Sequence, residues 1–163
     1  MEKDLESEIE KILEQEGKLV FCEFSKADAW QLGQQIRKRL IDLAAPAVID
    51  IRLGDQCLFF TSLEGATEAN QSWARRKRNL VNLVGSSSYF LSLQTRSGFD
   101  VVGAMGLDPR DYVAAGGCFP IRIKNTGAVG TITISGLPEI DDHRIVVEEI
   151  AMYLGVDLGD STF

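Results

Sequence analysis

The densest chemistry in this sequence lies at Trp73-Ala74-Arg75-Arg76-Lys77-Arg78-Asn79-Leu80, four consecutive basic residues beside a tryptophan in a chain of formal charge −7. On a helix, Arg76 and Lys77 stand three and four positions after Trp73 and four and three before Leu80, on the face that should point inward. Basic side chains on an inward face break the binary pattern, and such breaks mark binding or interface positions. Arginine offers a planar fork to a carboxylate or phosphate and lysine a point charge, so the segment reads as a site for a small anionic ligand. The competing reading is structural: long stems run past the core, and their heads pair with acidic residues of this chain or of a second copy.

His143, the one histidine, follows Asp141 and Asp142 at the expected start of a helix. Its functional reading is a haem or metal ligand, or a general base oriented by a carboxylate. Its structural reading is a cap or an interface residue. Haem and zinc draw on further ligands, no second histidine exists, and Cys22, Cys57 and Cys118 form no C-x-x-C pair, so no metal site is expected. Cys118 sits in a glycine-rich bend without an adjacent base and reads as a small packed residue. Gly116-Gly117 and Gly127-x-x-Gly130 lack the spacing of phosphate-binding loops and read as bulges or close backbone approaches. Ser135-Gly136 lacks the flanking glycines of a nucleophile elbow. The candidate ligand-binding set is therefore Trp73, Arg76, Lys77 and His143, with no catalytic residue assigned.

The elements that must position these residues follow from periodicity. Leu5, Ile9, Ile12 and Leu13 form an apolar stripe on an acidic helix that Gly17 can end. Ser25 and Asp28 make a capping box for a second helix with Ala29, Leu32, Gly33, Ile36, Leu40 and Leu43 on one face. After Pro46, Ala47 to Leu53 and Gln56 to Leu63 read as a hairpin turning at Gly54-Asp55. Thr67 to Val84 reads as a helix with Trp73, Leu80, Val81 and Val84 on one face, stopped by Gly85. A shorter helix carries Tyr89, Phe90 and Leu93, and Gly98 to Tyr112 reads as loop. Ala114 to Lys124 and Ala128 to Ser135 form a second hairpin, and Val146, Ile150, Tyr153 and Leu154 mark a last helix behind Pro138 and Asp141-Asp142. Two hairpins separated by helices predict an α+β fold with an antiparallel sheet.

At 163 residues, 45% hydrophobic and 25% charged, the chain fits one domain, 1–163, in which 1–17 is an N-terminal amphipathic helix. The net charge opposes nucleic acid and anionic lipid as partners. Met1 to Glu16 has neither the basic nor the apolar region of a signal peptide, and no stretch offers a membrane span, so the expected location is the cytoplasm with its cysteines reduced.

A family resemblance rests on Ala115-Gly116-Gly117-Cys118-Phe119-Pro120-Ile121-Arg122-Ile123, on Gly127 to Leu137, and on Asp142-His143. Ala47-Val48-Ile49-Asp50-Ile51 and Trp73 to Arg78 support it upstream. Together they resemble the haem-degrading-domain family of HbpS-like and GlcG-like proteins, in its small uncharacterised intracellular branch, across about Phe21 to Gly155. The resemblance implies a profilin-like α+β domain that assembles into homo-oligomers, a dimer or larger. It also brings haem binding or breakdown, or an enzyme acting on a small carboxylate, as alternatives to a non-catalytic binding or scaffold protein with a small anionic ligand or a protein partner. The stripe of Leu5, Ile9, Ile12 and Leu13 points to assembly as well, if one small domain does not cover it.

Overall fold

The computed structural model of the chain describes residues 2–162; Met1 and Phe163, included in the expected domain, lie outside the described residues. In chain order the elements are α1 (Glu2–Lys18), α2 (Lys26–Asp42), β1 (Val48–Leu53), β2 (Gln56–Ser62), α3 (Glu68–Val84), α4 (Ser88–Arg96), α5 (Val101–Ala104), β3 (Cys118–Ile123), β4 (Gly127–Ser135) and α6 (Glu139–Leu154), then a short 3-10 turn at Gly159–Ser161. The four strands form one antiparallel sheet in the order β2-β1-β4-β3, so the two expected hairpins meet through β1 and β4. This is an α+β fold, an antiparallel sheet flanked by helices, as the sequence predicts.

Alternation along the strands sends two different chemistries to the two faces. Ile49 and Ile51 of β1, Phe119 and Ile121 of β3, and Ile132 and Ile134 of β4 join Leu32, Ile36 and Leu40 of α2 and Ile145, Val146 and Ile150 of α6 in the main apolar core. The opposite face is polar yet buried: Asp50, Thr131, Thr133 and Ser135 lie there beneath α3, with Cys118 beside them. Asp50, Thr133 and Cys118 stand in one cross-strand row, and the Thr133 hydroxyl meets the Cys118 sulfur at 3.1 Å. A helix laid on such a face must bring polar groups of its own, because a buried polar group without a partner costs stability. Lys77 and Arg78 of α3 are those groups.

Several expectations shift. The inward face of α3 carries Ala74, Lys77, Leu80 and Val81, while Trp73 and Val84 are exposed: the polar sheet face takes Lys77, not the tryptophan. Leu43 at the end of α2 is exposed, α1 runs one residue past Gly17, and the segment read as loop contains the single-turn α5. The α1 stripe is covered within the chain, since Ile12 packs on Tyr89 and Leu93 with Leu5 and Ile9 at the margin; Leu13 alone of the stripe faces outward. It therefore gives no argument for assembly.

β3 starts at Cys118 rather than at Ala114 because the chain first docks on α6. Gly117 has φ of +121°, and a Cβ there would stand 2.4 Å from the Ile134 carbonyl oxygen and 2.9 Å from the Lys77 amine. A Cβ on Gly116 would meet the Glu139 carbonyl oxygen at 2.3 Å. Both contacts are too close for any side chain, so the glycine pair is a packing requirement of this corner. Gly117→Ala combines a strained φ with a backbone clash and should cost about 2 kcal/mol or more. Urea unfolding checks this; a midpoint matching the wild type would mean the corner yields without loss.

Candidate functional site

Lys77 enters the polar layer 3% exposed and finds two partners, the Asp142 carboxylate at 3.0 Å and the Ile134 carbonyl oxygen at 3.3 Å. Asp142, in the first turn of α6, also accepts the backbone N–H groups of Gly136 and Leu137 at 3.3 and 3.1 Å. Burial pushes the Asp142 carboxyl above the usual carboxylate range, against the opposing pull of Lys77 and these two amides. The pair forms the floor of a cavity of about 450 Å³ between α3, the end of β4 and the start of α6. Trp73, 41% exposed, stands on its wall; Asn70, Ser92, Ser135 and Glu139 contribute polar groups. Glu139 is itself engaged, accepting the Ser92 hydroxyl and the Gly116 N–H at 2.9 Å each and pairing with Arg96.

The remaining basic residues of α3 go elsewhere. Arg76 is half-buried, its guanidinium 4.7 Å from the centre of the Trp73 ring and its Nε donating to the Pro109 carbonyl at 3.0 Å. Arg75 and Asn79 donate to Asp111 and its neighbourhood, so this outer side of α3 braces the segment before β3. Arg78 turns to the other flank, where it and Arg52 share the buried carboxylate of Asp50. A second cavity of about 380 Å³ opens there.

His143 lies apart from both cavities. It is wholly buried, its Nε2 3.0 Å from the Gln15 side-chain oxygen and its ring 4.9 Å from Tyr89 and 6.2 Å from Phe119. Gln15 in turn donates to the Ser161 carbonyl at 2.5 Å, so the histidine ties α6 to α1 and the C-terminal turn. Burial pushes its pKa down to about 3, which keeps the ring neutral. Cys118 is likewise wholly buried, and burial pushes its thiol up to about 12, far from a reactive thiolate. Of the candidate residues, then, the structure brings Trp73 and Lys77 to one cavity, sets Arg76 behind Trp73, and separates His143 from all three. Glu139, Asp50 and Arg52 are absent from the candidate set, and Asp142 figures in the sequence only beside His143 and at a helix start, not as the partner of Lys77; a charge inside Val48-Ile49-Asp50-Ile51 is the available signal for Asp50 and Arg52. Among the described residues no group of three His, Cys, Asp or Glu side chains is placed to hold a metal ion, and no helix is long and apolar enough to cross a membrane.

A family model described as haem degrading protein HbpS-like matches residues 24–151, spanning the sheet, α3 and the start and body of α6. The chain belongs to the HbpS-like family. It is similar to UPF0303 proteins: that of Azotobacter vinelandii is 40% identical over 149 residues, 91% of this chain and 90% of the relative. That of Streptomyces coelicolor is 41% identical over 143 residues, 87% and 90%. Among solved structures, the Ybr137w protein matches with a TM-score of 0.81 and 26% identity, covering 90% of this chain and 87% of that one. PduOC in complex with haem matches with a TM-score of 0.66 and 20% identity over 78% and 93%, a likeness of fold. Haem, which the family description implies, finds no ligand in the residue the sequence suggested: the His143 ring is enclosed and already bonded to Gln15, so it does not fit axial coordination.

The histidine makes a pH-dependent prediction for this HbpS-like chain. Its folded pKa of about 3 lies below the ordinary 6.5, so the unfolded chain takes up the proton first as pH falls. Stability from this group is complete above pH 6.5 and is lost toward pH 3, by up to about 1.4 kcal/mol per pH unit. Asp142, whose pKa is raised, contributes the opposite slope in the acid range, and His143→Gln leaves it in place. Denaturation curves at a series of pH values should fall more steeply for wild type than for His143→Gln; parallel profiles would refute the neutral, buried histidine.

Proposed function

We propose that this HbpS-like protein is a non-catalytic binding protein whose small ligand enters the cavity between α3 and α6. The observation that carries this reading is the convergence of an exposed Trp73 with the buried Lys77 and Asp142 in one concave site. A flat aromatic wall above a few polar groups is how small-molecule sites are commonly built. Charge then narrows the ligand. Lys77 is matched by Asp142 and Glu139 by Arg96, so the cavity has no surplus cation, and a neutral or zwitterionic molecule fits it better than the anion suggested by the basic run. Cytoplasmic residence belongs to the same proposal, supported by the exposed free thiols of Cys22 and Cys57.

A thermal-shift screen followed by calorimetry tests the site, using neutral amides, amino acids, small carboxylates and haemin as probes. A probe that binds the native state raises Tm by mass action, and Trp73→Ala should remove at least about tenfold of its affinity while leaving the unliganded Tm near wild type. A hit whose affinity survives Trp73→Ala would move the function away from this cavity.

A second copy of the chain is the partner we propose. β2 is an edge strand without a charged residue; it carries the exposed Phe60, and Trp30, 59% exposed, packs beside it on Phe59. The other edge, β3, is covered at Ile123 by a bridge to Phe21. Uncharged, uncovered edges invite pairing, and antiparallel addition of β2 to its own copy would cover this one. Light scattering behind a sizing column should give at least twice the 18.0 kDa chain mass, and Phe60→Lys should reduce it to one chain. A wild-type monomer at micromolar concentration would end the proposal.

A further inference from the structure

The flank of α3 away from Trp73 holds a cavity of about 380 Å³ lined by three arginines: Arg52 from β1, and Arg75 and Arg78 from α3. We infer that this cavity is an anion site, taking a phosphate group or a small dicarboxylate, distinct from the ligand cavity on the other flank of the helix.

The argument begins with Asp50, which is buried to 1% exposure in the polar sheet face. Arg52 Nε donates to both of its oxygens, at 2.8 and 3.0 Å, and Arg78 adds a further bond. One guanidinium would suffice to neutralise this carboxylate; the second is an excess cation held in the same place. Arg52 spends one more N–H on the Asp55 carbonyl at 3.1 Å, and the other N–H groups of Arg52 and Arg78 have no protein acceptor among the described residues. Two guanidiniums carry about ten donors between them, so most are left to face solvent or a ligand. Asp50 thus acts as a second layer: it fixes two forks in position without consuming them. Side-chain exposures of 23% for Arg52 and 14% for Arg78 describe groups that are partly desolvated but reachable.

Arg75 also lines the cavity, with its guanidinium held at the edge. Asp111 and the Arg110 carbonyl hold it at 2.9 Å each, and the bond to Asp111 is exposed, where ion pairs are worth little and can be exchanged for a better acceptor. The ionisable residues lining the cavity are these three arginines with Asp50 and Glu68, and Asp111 pairs with Arg75 from outside the lining, so the formal charges balance and what the site offers an anion is the unspent N–H donors of Arg52 and Arg78. Phe60 and Ala74 supply apolar walls that lower the local dielectric and strengthen charge-assisted bonds. Fork geometry on two elements, a buried organiser and unspent guanidinium donors are what planar recognition of a carboxylate or phosphate asks of a protein. The alternative is a purely structural network in which the arginines serve Asp50 and Asp111 alone.

Calorimetric titration of the full chain with inorganic phosphate and, separately, malonate at low ionic strength tests this. Saturable binding of at least one is expected, weakened about tenfold or more by Arg75→Gln, since one charge-assisted contact is removed, and unchanged by Arg37→Gln, which removes the same charge from exposed α2. Equal weakening by both variants would reduce the effect to general electrostatics and overturn the site, as would the absence of saturable binding to wild type. A readout that needs no variant is the set of arginine Nε–H resonances: those of Arg52, Arg75 and Arg78 should move with phosphate while that of Arg37 stays, and uniform or absent shifts would also overturn the inference. Neither result bears on Trp73, so this site and the ligand cavity stand or fall separately.

Discussion

The ion pair between Lys77 and Asp142 is the constraint around which this molecule is arranged. It joins the middle of α3 to the first turn of α6 through the end of β4, and Asp142 simultaneously fixes the turn from β4 into α6 by accepting two of its amides. Removing one member of such a buried pair strands the other, a loss of order 3–5 kcal/mol, whereas the intact pair stabilises little beyond an apolar substitute. Its value is geometric. The pair sets how close α3 can sit on the sheet, and it demands that the chain passing beside it at Gly117 carry no side chain. The cavity under Trp73 exists because these elements converge there without filling the space.

From that arrangement the basic run of α3 acquires its meaning. Four adjacent cations point around a helix, and the sheet beneath sorts them: Lys77 to Asp142, Arg78 to Asp50, Arg75 and Arg76 to the segment before β3. A single helix thereby stands between two cavities, one floored by the Lys77–Asp142 pair and one lined by Arg52, Arg75 and Arg78.

Local features were legible from the sequence because short-range geometry decides them. The Ser25 and Asp28 capping box forms as read, with Asp28 accepting the Ser25 N–H at 2.6 Å. Gly85 ends α3 in the left-handed conformation, and the alternation in Thr131-Ile132-Thr133-Ile134-Ser135 assigns the two sheet faces. The rotation of α3 was not legible, since a helix with four basic residues between Trp73 and Leu80 has no unique apolar face until the sheet it covers is known to be polar. His143 was equally out of reach: its partner Gln15 lies 128 residues away, and no local pattern reports such a contact. The sequence marks Lys77 as an inward cation, whereas it presents Asp142 only as a helix-start charge and a neighbour of His143, with nothing to pair it with Lys77.

The Gln15 side chain has a further consequence. Its oxygen meets His143 and its nitrogen meets the Ser161 carbonyl, while Lys18 reaches the Leu158 carbonyl at 3.0 Å, so α1 and the C-terminal turn are sewn to each other and to α6 at a single seam. Peeling α1 away would open both ends of the chain together and expose the histidine to water in the same event. The two extremities, remote in sequence, are tied so that amide exchange along α1 and along Gly159–Ser161 is expected to follow one opening equilibrium.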